Sequence, residues 1–382
     1  MRIAIEAQRL FREKKHGMDI YALELIRNLQ QIDHKNEYVI FVKPDVDDAI
    51  LKETPNFKIV KLDGGFYPLW EQLALPKAAK EAGCRILHCT SNTAPVRCEI
   101  PLVLTLHDII YMESSYTRIL SGSATPYQKF GNIYRKLVVP HLVHKSLKNI
   151  TVSHSEKTRI DKLFALESGR QMNVVYNGVG KHFEPITDAK QLHQAKEKYN
   201  LPDNFFFFLG NTDPKKNVKG TLKAFSDFLK KTGFDYYLVV ADYEHDKLQK
   251  LLDEIGDKSL INRIILTGYI PNASLPAVYS QCKVFLYTSL RESFGIPMLE
   301  AMKCGVPVLT SNTESMPEIA GDAAYLVNPF KHQEITEAMI KMVQDESLRT
   351  DLISKGLLRA PQFSWEITAR KVLESYQKLG AD

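Results

Sequence analysis

The sequence predicts an α/β protein built from two doubly wound parallel sheets. Three observations carry that expectation. Short β-branched and apolar runs alternate with longer amphipathic ones, the pattern of βαβ units. The alternation starts afresh at Phe205, after a polar stretch over 180–200. The chain has 382 residues, enough for two domains at about 150 residues each.

In the first half, strands are expected over 2–7, 38–43, 58–62, 85–89, 102–107, 149–153 and 174–176. A helix is expected over 19–31, where Ile20, Leu23, Ile26 and Leu29 recur at helical spacing. The stretch 180–200 reads as a linker followed by a helix. Residues 205–209 are a continuous apolar run, as a strand buried on both faces requires. Further strands are expected over 236–241, 263–267, 284–288, 306–310 and 324–327. The expected domains are 1–182, 183–362 and a last helical segment, 363–382. Ligands of such sheets bind beyond the carboxyl ends of the strands, so chemistry is sought just after each strand.

Composition narrows the function. With 44% hydrophobic and 25% charged residues, a fibrous or wholly disordered chain is excluded. No run of 18 apolar residues marks a membrane span, and the first residues are apolar for too short a stretch to form a secretory signal core. Cys84, Cys89, Cys98, Cys282 and Cys304 are odd in number and lack C-x-x-C spacing. They are expected as buried or free thiols in a cytoplasmic protein, with no zinc site. Residues 1–190 hold 27 Lys and Arg against 21 Asp and Glu, and the remainder 23 against 24. The surplus concentrates in 118–159, with eight basic residues, one acid (Glu156), and Tyr127, Phe130 and Tyr134 interleaved. That segment reads either as a solvated helix face or as a surface for an anionic partner, such as the inner face of a membrane or a lipid-linked phosphate. No motif supports nucleic acid.

The segment 284–300, VFLYTSLRESFGIPMLE, is the most informative. A strand ends near Ser289, a loop follows, and Pro297 stands where a helix begins. The amides of Phe294, Gly295 and Ile296 would then face a phosphate or hydroxyl oxygen, with Gly295 permitting close approach. Glu292 and Glu300 bracket this turn. Two carboxylates suit sugar and ribose hydroxyls better than phosphate. A plain helix start with an acid favoured by the dipole would leave the same trace. A second strand–turn–helix, 208–217, contains Gly210 and places Lys215 and Lys216 at the start of the following helix. Cations are disfavoured there unless an anion such as a diphosphate lies between them. Gly17 precedes the first helix, where it reads either as a backbone approach to a ligand or as a plain turn. His107 ends a strand, where it can donate to a substrate hydroxyl, buffer a proton or serve the core. Asp45-Val46-Asp47-Asp48 has metal-binding spacing but looks more like a helix cap. His141 and His144 lack a third ligand pattern. Dinucleotide-binding, P-loop and serine-hydrolase signatures are absent.

Glu292 and Glu300 form an E-x7-E pair around Ser293-Phe294-Gly295-Ile296-Pro297. This resembles the signature of the family 4 retaining glycosyltransferases of GT-B fold. The segments 267–271, 275–279, 301–308 and 316–319 are similar to that family in the same order, as are 214–217, 152–153, 177–179 and 363–366. The resemblance spans nearly the whole chain and is tightest over 205–328.

It implies two Rossmann-like domains facing a central cleft, an acceptor-binding one followed by a nucleotide-sugar-binding one, with the last helix returning to the first domain. It implies that Lys216, with Lys215, neutralises the donor diphosphate, and that Glu300 holds the ribose. Glu292, Ser293 and the Phe294–Gly295–Ile296 backbone would hold the donor sugar. Gly17 and Gly210 would pack near the diphosphate, Ile270 near the base, and His107 against the transferred sugar. His107, Lys216 and Glu292 are the residues expected to be catalytic. Lys215 stands where arginine is usual, so a two-pronged phosphate contact is not expected there.

The implied function is retaining, metal-independent transfer of a hexose from a nucleotide-diphosphate sugar to a glycan or lipid-linked acceptor in surface polysaccharide biosynthesis. No resident cofactor is expected. GDP-mannose stands ahead of UDP-sugars as donor. The alternatives are a non-catalytic GT-B partner subunit, in which Glu292 or Lys216 should be lost, and another nucleotide-sugar enzyme such as an epimerase, which would need further acidic or histidine catalysts.

Overall fold

The structure is a computed structural model and describes residues 1–113, 115, 125–167, 171–211 and 213–380. Residues 118–124 of the basic segment therefore lie outside the described residues. The chain forms two compact units, Met1–Gly178 with Trp365–Asp382, and Val179–Ser364.

The first unit holds a seven-stranded sheet in the order β3-β2-β1-β4-β5-β6-β7. The strands are β1 Arg2–Glu6, β2 Glu37–Val42, β3 Phe57–Lys61, β4 Ile86–Cys89, β5 Leu102–Thr105, β6 Lys148–Thr151 and β7 Asn173–Val174. All pairs are parallel, with Ile3 opposite both Tyr38 and Ile86. A parallel sheet covered on both faces needs apolar residues at successive positions. β4 and β5 meet that need, being buried throughout. The first helix runs Gly17–Ile32, two residues earlier than its apolar spacing predicts. The Asp19 carboxylate accepts the His16 amide at 3.0 Å and secures that earlier start.

The last helix, Trp365–Gly380, completes this unit by packing on the helix Gly17–Ile32. Trp365 meets the edge of Tyr21 with ring centroids 6.1 Å apart. The Tyr376 hydroxyl reaches His88 Nδ1 at 2.5 Å, and His88 Nε2 lies 2.7 Å from the Thr105 hydroxyl. Burial drives the His88 pKa down to about 3, so the ring is neutral.

The second unit holds a six-stranded parallel sheet in the order β10-β9-β8-β11-β12-β13. Its strands are β8 Phe205–Leu209, β9 Tyr237–Ala241, β10 Ile264–Gly268, β11 Val284–Tyr287, β12 Val308–Ser311 and β13 Tyr325–Val327. Four successive phenylalanines make β8 the centre of the sheet, each at most 1% exposed. Phe206 packs edge-on against Phe225 and Phe228 of the helix Val218–Thr232. In the polar stretch, Asp188 caps a helix at Ala189–Tyr199 through the Lys190 and Gln191 amides. Both strand orders reverse once, between β1 and β4 and between β8 and β11. Such switch points open a crevice at the carboxyl ends of the strands.

Two local expectations are corrected. Lys215 and Lys216 do not open the long helix. They lie on a single 3-10 turn, Pro214–Lys216, capped by Asp213 and closed by Asn217 in the left-handed region at φ 59°. His107 does not end a strand, because β5 stops at Thr105. The Asn92 side chain takes the His107 amide at 2.6 Å, and this replaces the sheet ladder. The decoy acids are spent on ion pairs, Asp47 with Lys15 and Asp48 with Lys61. The five cysteines are free thiols, four of them buried.

Candidate functional site

The second unit builds its site at the β8/β11 switch point. Leaving β8, the chain passes Gly210, which is pressed against β9. A Cβ there would stand 2.9 Å from Val240 Cγ1. The turn Pro214–Lys216 follows, and Asn217 then fixes the loop. Its side-chain amide donates to Thr288 O at 3.1 Å and to Pro329 O at 2.8 Å. The Leu290 amide donates to Lys215 O at 2.7 Å. The loops after β8, β11 and β13 are thereby laced into one surface.

On that surface the Lys216 ammonium sits 2.6 Å from Glu292 Oε1 and 5.1 Å from the centre of the Tyr287 ring. The side chains are 13% and 11% exposed, so the charges meet largely out of water. Burial pushes the Glu292 carboxyl up, but Lys216 and Lys215 outweigh it and hold it below the ordinary range. An ammonium carries three N–H bonds, and Glu292 needs one. The pair thus presents a positioned cation with donors to spare. The Ser315 hydroxyl donates to Glu292 O at 2.9 Å, and Arg291 pairs with Glu314 at 3.6 Å beneath the loop.

The helix after β11 runs Ile296–Lys303 with Gly295 as its cap at φ 98°. Only glycine takes that conformation without strain, and a Cβ there would come within 2.7 Å of Met316 Cε. Ser293 and the amides of Phe294, Gly295 and Ile296 therefore stand at this helix start. Phe294 is buried against Phe363, with centroids 5.8 Å apart. Glu300, one turn along, is 8% exposed and accepts from the Tyr279 hydroxyl at 3.3 Å. Burial drives its pKa up to about 8, so the two glutamates of the pair differ in charge at neutral pH. Ile270 is buried in the loop after β10. Glu292, Lys216 and Gly295 are thus brought onto one loop surface.

The first unit carries the other two predicted residues. His107 is buried, and its Nε2 lies 2.9 Å from Thr90 O, which can only accept. The proton therefore sits on Nε2, leaving Nδ1 as an acceptor. Of the roles open to it, this leaves His107 able to accept from a hydroxyl but not to donate to one. Burial lowers its pKa, against an opposing effect of the Thr90 carbonyl, so the ring is neutral. Gly17 is the first residue of its helix, and a Cβ there would meet nothing within 4 Å. Nothing in this unit's own packing requires glycine at that position. Nearby, Arg9 pairs with the buried Asp19 at 3.1 Å.

Asn217, Tyr279, Tyr287 and Ser315 shape the site but carry no recognisable signal of their own. Asn217 and Tyr279 lie inside the family-like segments, where only the lysines and glutamates announce a chemistry.

A family model described as "Glycosyltransferase Family 4" matches residues 16–181, and one described as "Glycosyl transferases group 1" matches 189–359. The O-antigen chain mannosyltransferase B of Escherichia coli is 32% identical over 62% of this chain and 63% of its own length. The serotype-specific mannosyltransferase WbdA of Escherichia coli is 32% identical over 60% of this chain and 28% of its own. The chain thus spans less than two thirds of these relatives. The structure of HepE from Anabaena in complex with UDP-glucose superposes with a TM-score of 0.75 at 17% identity, covering 99% of this chain and all of the other. With two parallel switch-point sheets and two family models matching in tandem, the chain belongs to the group 1, family 4 glycosyltransferases of GT-B fold.

Proposed function

We propose that this protein transfers a hexose, with retention and without a metal, from a nucleoside-diphosphate sugar to a glycan or lipid-linked glycan acceptor of a surface polysaccharide. One observation carries the reading, the Lys216–Glu292 pair at the carboxyl ends of β8 and β11. As the glycosidic bond breaks, negative charge grows on the β-phosphate of the leaving group. Lys216, held in place by Glu292 and Tyr287, meets that charge without having to be reoriented, and Lys215 adds to the field. Fixed charges of this kind stabilise a transition state more than mobile ones do. Glu300 accepts the ribose hydroxyls, and Glu292 and the Ser293–Ile296 turn hold the sugar. The sugar passes through an oxocarbenium-like state and is attacked on the face the phosphate leaves, with the departing phosphate taking the acceptor's proton. In the first unit, His107 Nδ1 accepts from a sugar hydroxyl. GDP-mannose is the favoured donor, because two O-antigen and serotype-specific mannosyltransferases are 32% identical to this chain over 60% or more of its length. UDP-sugars follow, because HepE is a UDP-glucose complex.

The test is thermal shift with GDP, UDP, ADP and their sugars, with and without EDTA, followed by mass spectrometry of sugar transfer to a mannose-containing acceptor. A ligand that binds the native state alone raises the melting temperature. A shift with one nucleotide, unchanged by EDTA and lost in Lys216→Ala, is expected. No shift with any of them overturns the donor site and leaves a non-catalytic subunit as the reading.

A further inference from the structure

Beside the donor pair lies a second buried ion pair that the transfer reaction leaves unused. Arg291 precedes Glu292 in the loop after β11, and Glu314 stands in the loop after β12. Arg291 Nη1 lies 3.6 Å from Glu314 Oε2 and donates to the Glu292 carbonyl at 3.2 Å. The two side chains are 10% and 15% exposed, so both charges have largely left water. A buried pair of this kind adds little net stability over apolar residues of similar size.

Glu314 carries a second cost. Its φ is 59°, in the left-handed region. Among the described residues, six that are not glycine have positive φ. Four of them are Asn or Asp, which tolerate that conformation, one is Ala165, and Glu314 alone has a long side chain. The left-handed turn sets Glu314 on Arg291, while the next residue, Ser315, sends its hydroxyl to the same Glu292 carbonyl at 2.9 Å. Backbone strain of this kind collects at functional sites.

The neighbouring charges account for both costs. Lys216 and Arg291 are cations, Glu292 and Glu314 anions, and two pairings are open to them. A guanidinium binds a carboxylate through two parallel N–H bonds, which an ammonium cannot do. Arg291 already holds the Glu292 carbonyl. Without Glu314 it would be a buried cation seeking a carboxylate, and Glu292 is its neighbour in the chain. We propose that Glu314 is a positioning residue of the donor site, which binds Arg291, keeps the guanidinium off the Glu292 carboxylate and leaves Glu292 to orient Lys216. The proposal rests on Lys216 as the cation that meets the donor diphosphate.

Calorimetric titration with GDP against GMP, and UDP against UMP, reads the effect on Lys216, because only the diphosphates carry a β-phosphate. Glu314→Gln keeps the shape of the side chain and removes its charge. It should weaken diphosphate binding about ten-fold, a coupling usual within one ion-pair network, and leave the monophosphate within about two-fold. Glu314→Gly relieves the left-handed backbone but also removes the carboxylate, and should weaken the diphosphate as much. Arg291→Gln added to Glu314→Gln removes the competing cation and should restore most of the affinity, whereas a merely structural pair would lose more with each change. If Glu314→Gln alone does not fold, Arg291→Gln is compared with and without it, and equal diphosphate affinities are expected. A crystal structure of the Glu314→Gln protein, or of Glu314→Gly, should show Arg291 on the Glu292 carboxylate and Lys216 released from its 2.6 Å contact. That readout needs no nucleotide. If the wild type binds none, the donor reading fails, and the crystal structure alone decides whether Glu314 sorts the pairs. The proposal is overturned by wild-type diphosphate affinity in Glu314→Gln or Glu314→Gly, by an equal loss with the monophosphate, by no recovery in the double variant, or by an unmoved Lys216–Glu292 pair in the crystal.

Discussion

With Glu300 on the donor ribose, as proposed, donor binding should depend on pH in a direction set by the burial of its carboxyl. Its carboxyl is buried beside Tyr279, and burial places its pKa at about 8. In the unliganded protein it is therefore mostly a neutral acid at pH 7. Two ribose hydroxyls donating to this carboxyl favour its ionised form. Below the pKa the bound state must first give up that proton, at about 1.4 kcal/mol per pH unit. Affinity for the nucleoside diphosphate should then rise up to about ten-fold per unit between about pH 6 and pH 8, and level off above. Isothermal titration calorimetry in buffers of different ionisation enthalpy reads both quantities, the affinity and the protons released. Near pH 7 the release should approach one proton per site. Glu300→Gln removes the titration, so its proton release keeps only the part owed to the diphosphate itself. Equal pH slopes and equal proton release in wild type and variant would falsify the assignment of Glu300 to the ribose.

Other expectations follow from the same geometry. Glu300→Gln should also flatten the pH dependence of stability. A carboxyl whose folded pKa is raised stabilises the fold below its ordinary range and loses that contribution as pH rises toward about 8. Wild-type melting temperature should therefore fall between about pH 5 and pH 8 relative to the variant. Lys216→Ala should weaken diphosphate binding roughly 10- to 100-fold, the range of one charged hydrogen bond, as titration calorimetry would show. Gly295→Ala should destabilise the second unit by about 1–3 kcal/mol, because φ 98° disfavours a side chain and Met316 must move; chemical denaturation measures it. Tyr376→Phe strands a buried nitrogen of His88 and should cost about 1–3 kcal/mol, read the same way.

The framework was legible because buried parallel strands are written as apolar runs. Phe205–Leu209 has the bounds that its composition announces. Where ends moved, a side chain had replaced a backbone partner. β5 stops before His107 because Asn92 captures the His107 amide, and no local pattern reports a bond across 15 residues. The lysine turn was displaced from the helix for a similar reason. Asp213 and the left-handed Asn217 build a separate 3-10 turn there. The site residues stood out by type and motif, but not their couplings. Lys216 and Glu292 are 76 positions apart and meet only because β8 and β11 are neighbours in the sheet. The proton on His107 is likewise invisible in sequence, since Thr90 decides which nitrogen carries it. The difference in ionisation between Glu292 and Glu300 arises from two lysines beside one and none of comparable effect beside the other.

The helix Trp365–Gly380 closes a unit whose main part runs Met1–Gly178. During synthesis the second unit therefore emerges whole before the first can finish. At roughly 5–20 residues per second, the partner of the Gly17–Ile32 helix arrives about 10–40 s after the first sheet has left the ribosome. Through that interval Tyr21 lacks Trp365 and His88 lacks Tyr376. The nascent sheet carries an open apolar flank for that time, which gives chaperones a defined window and a defined surface on which to act.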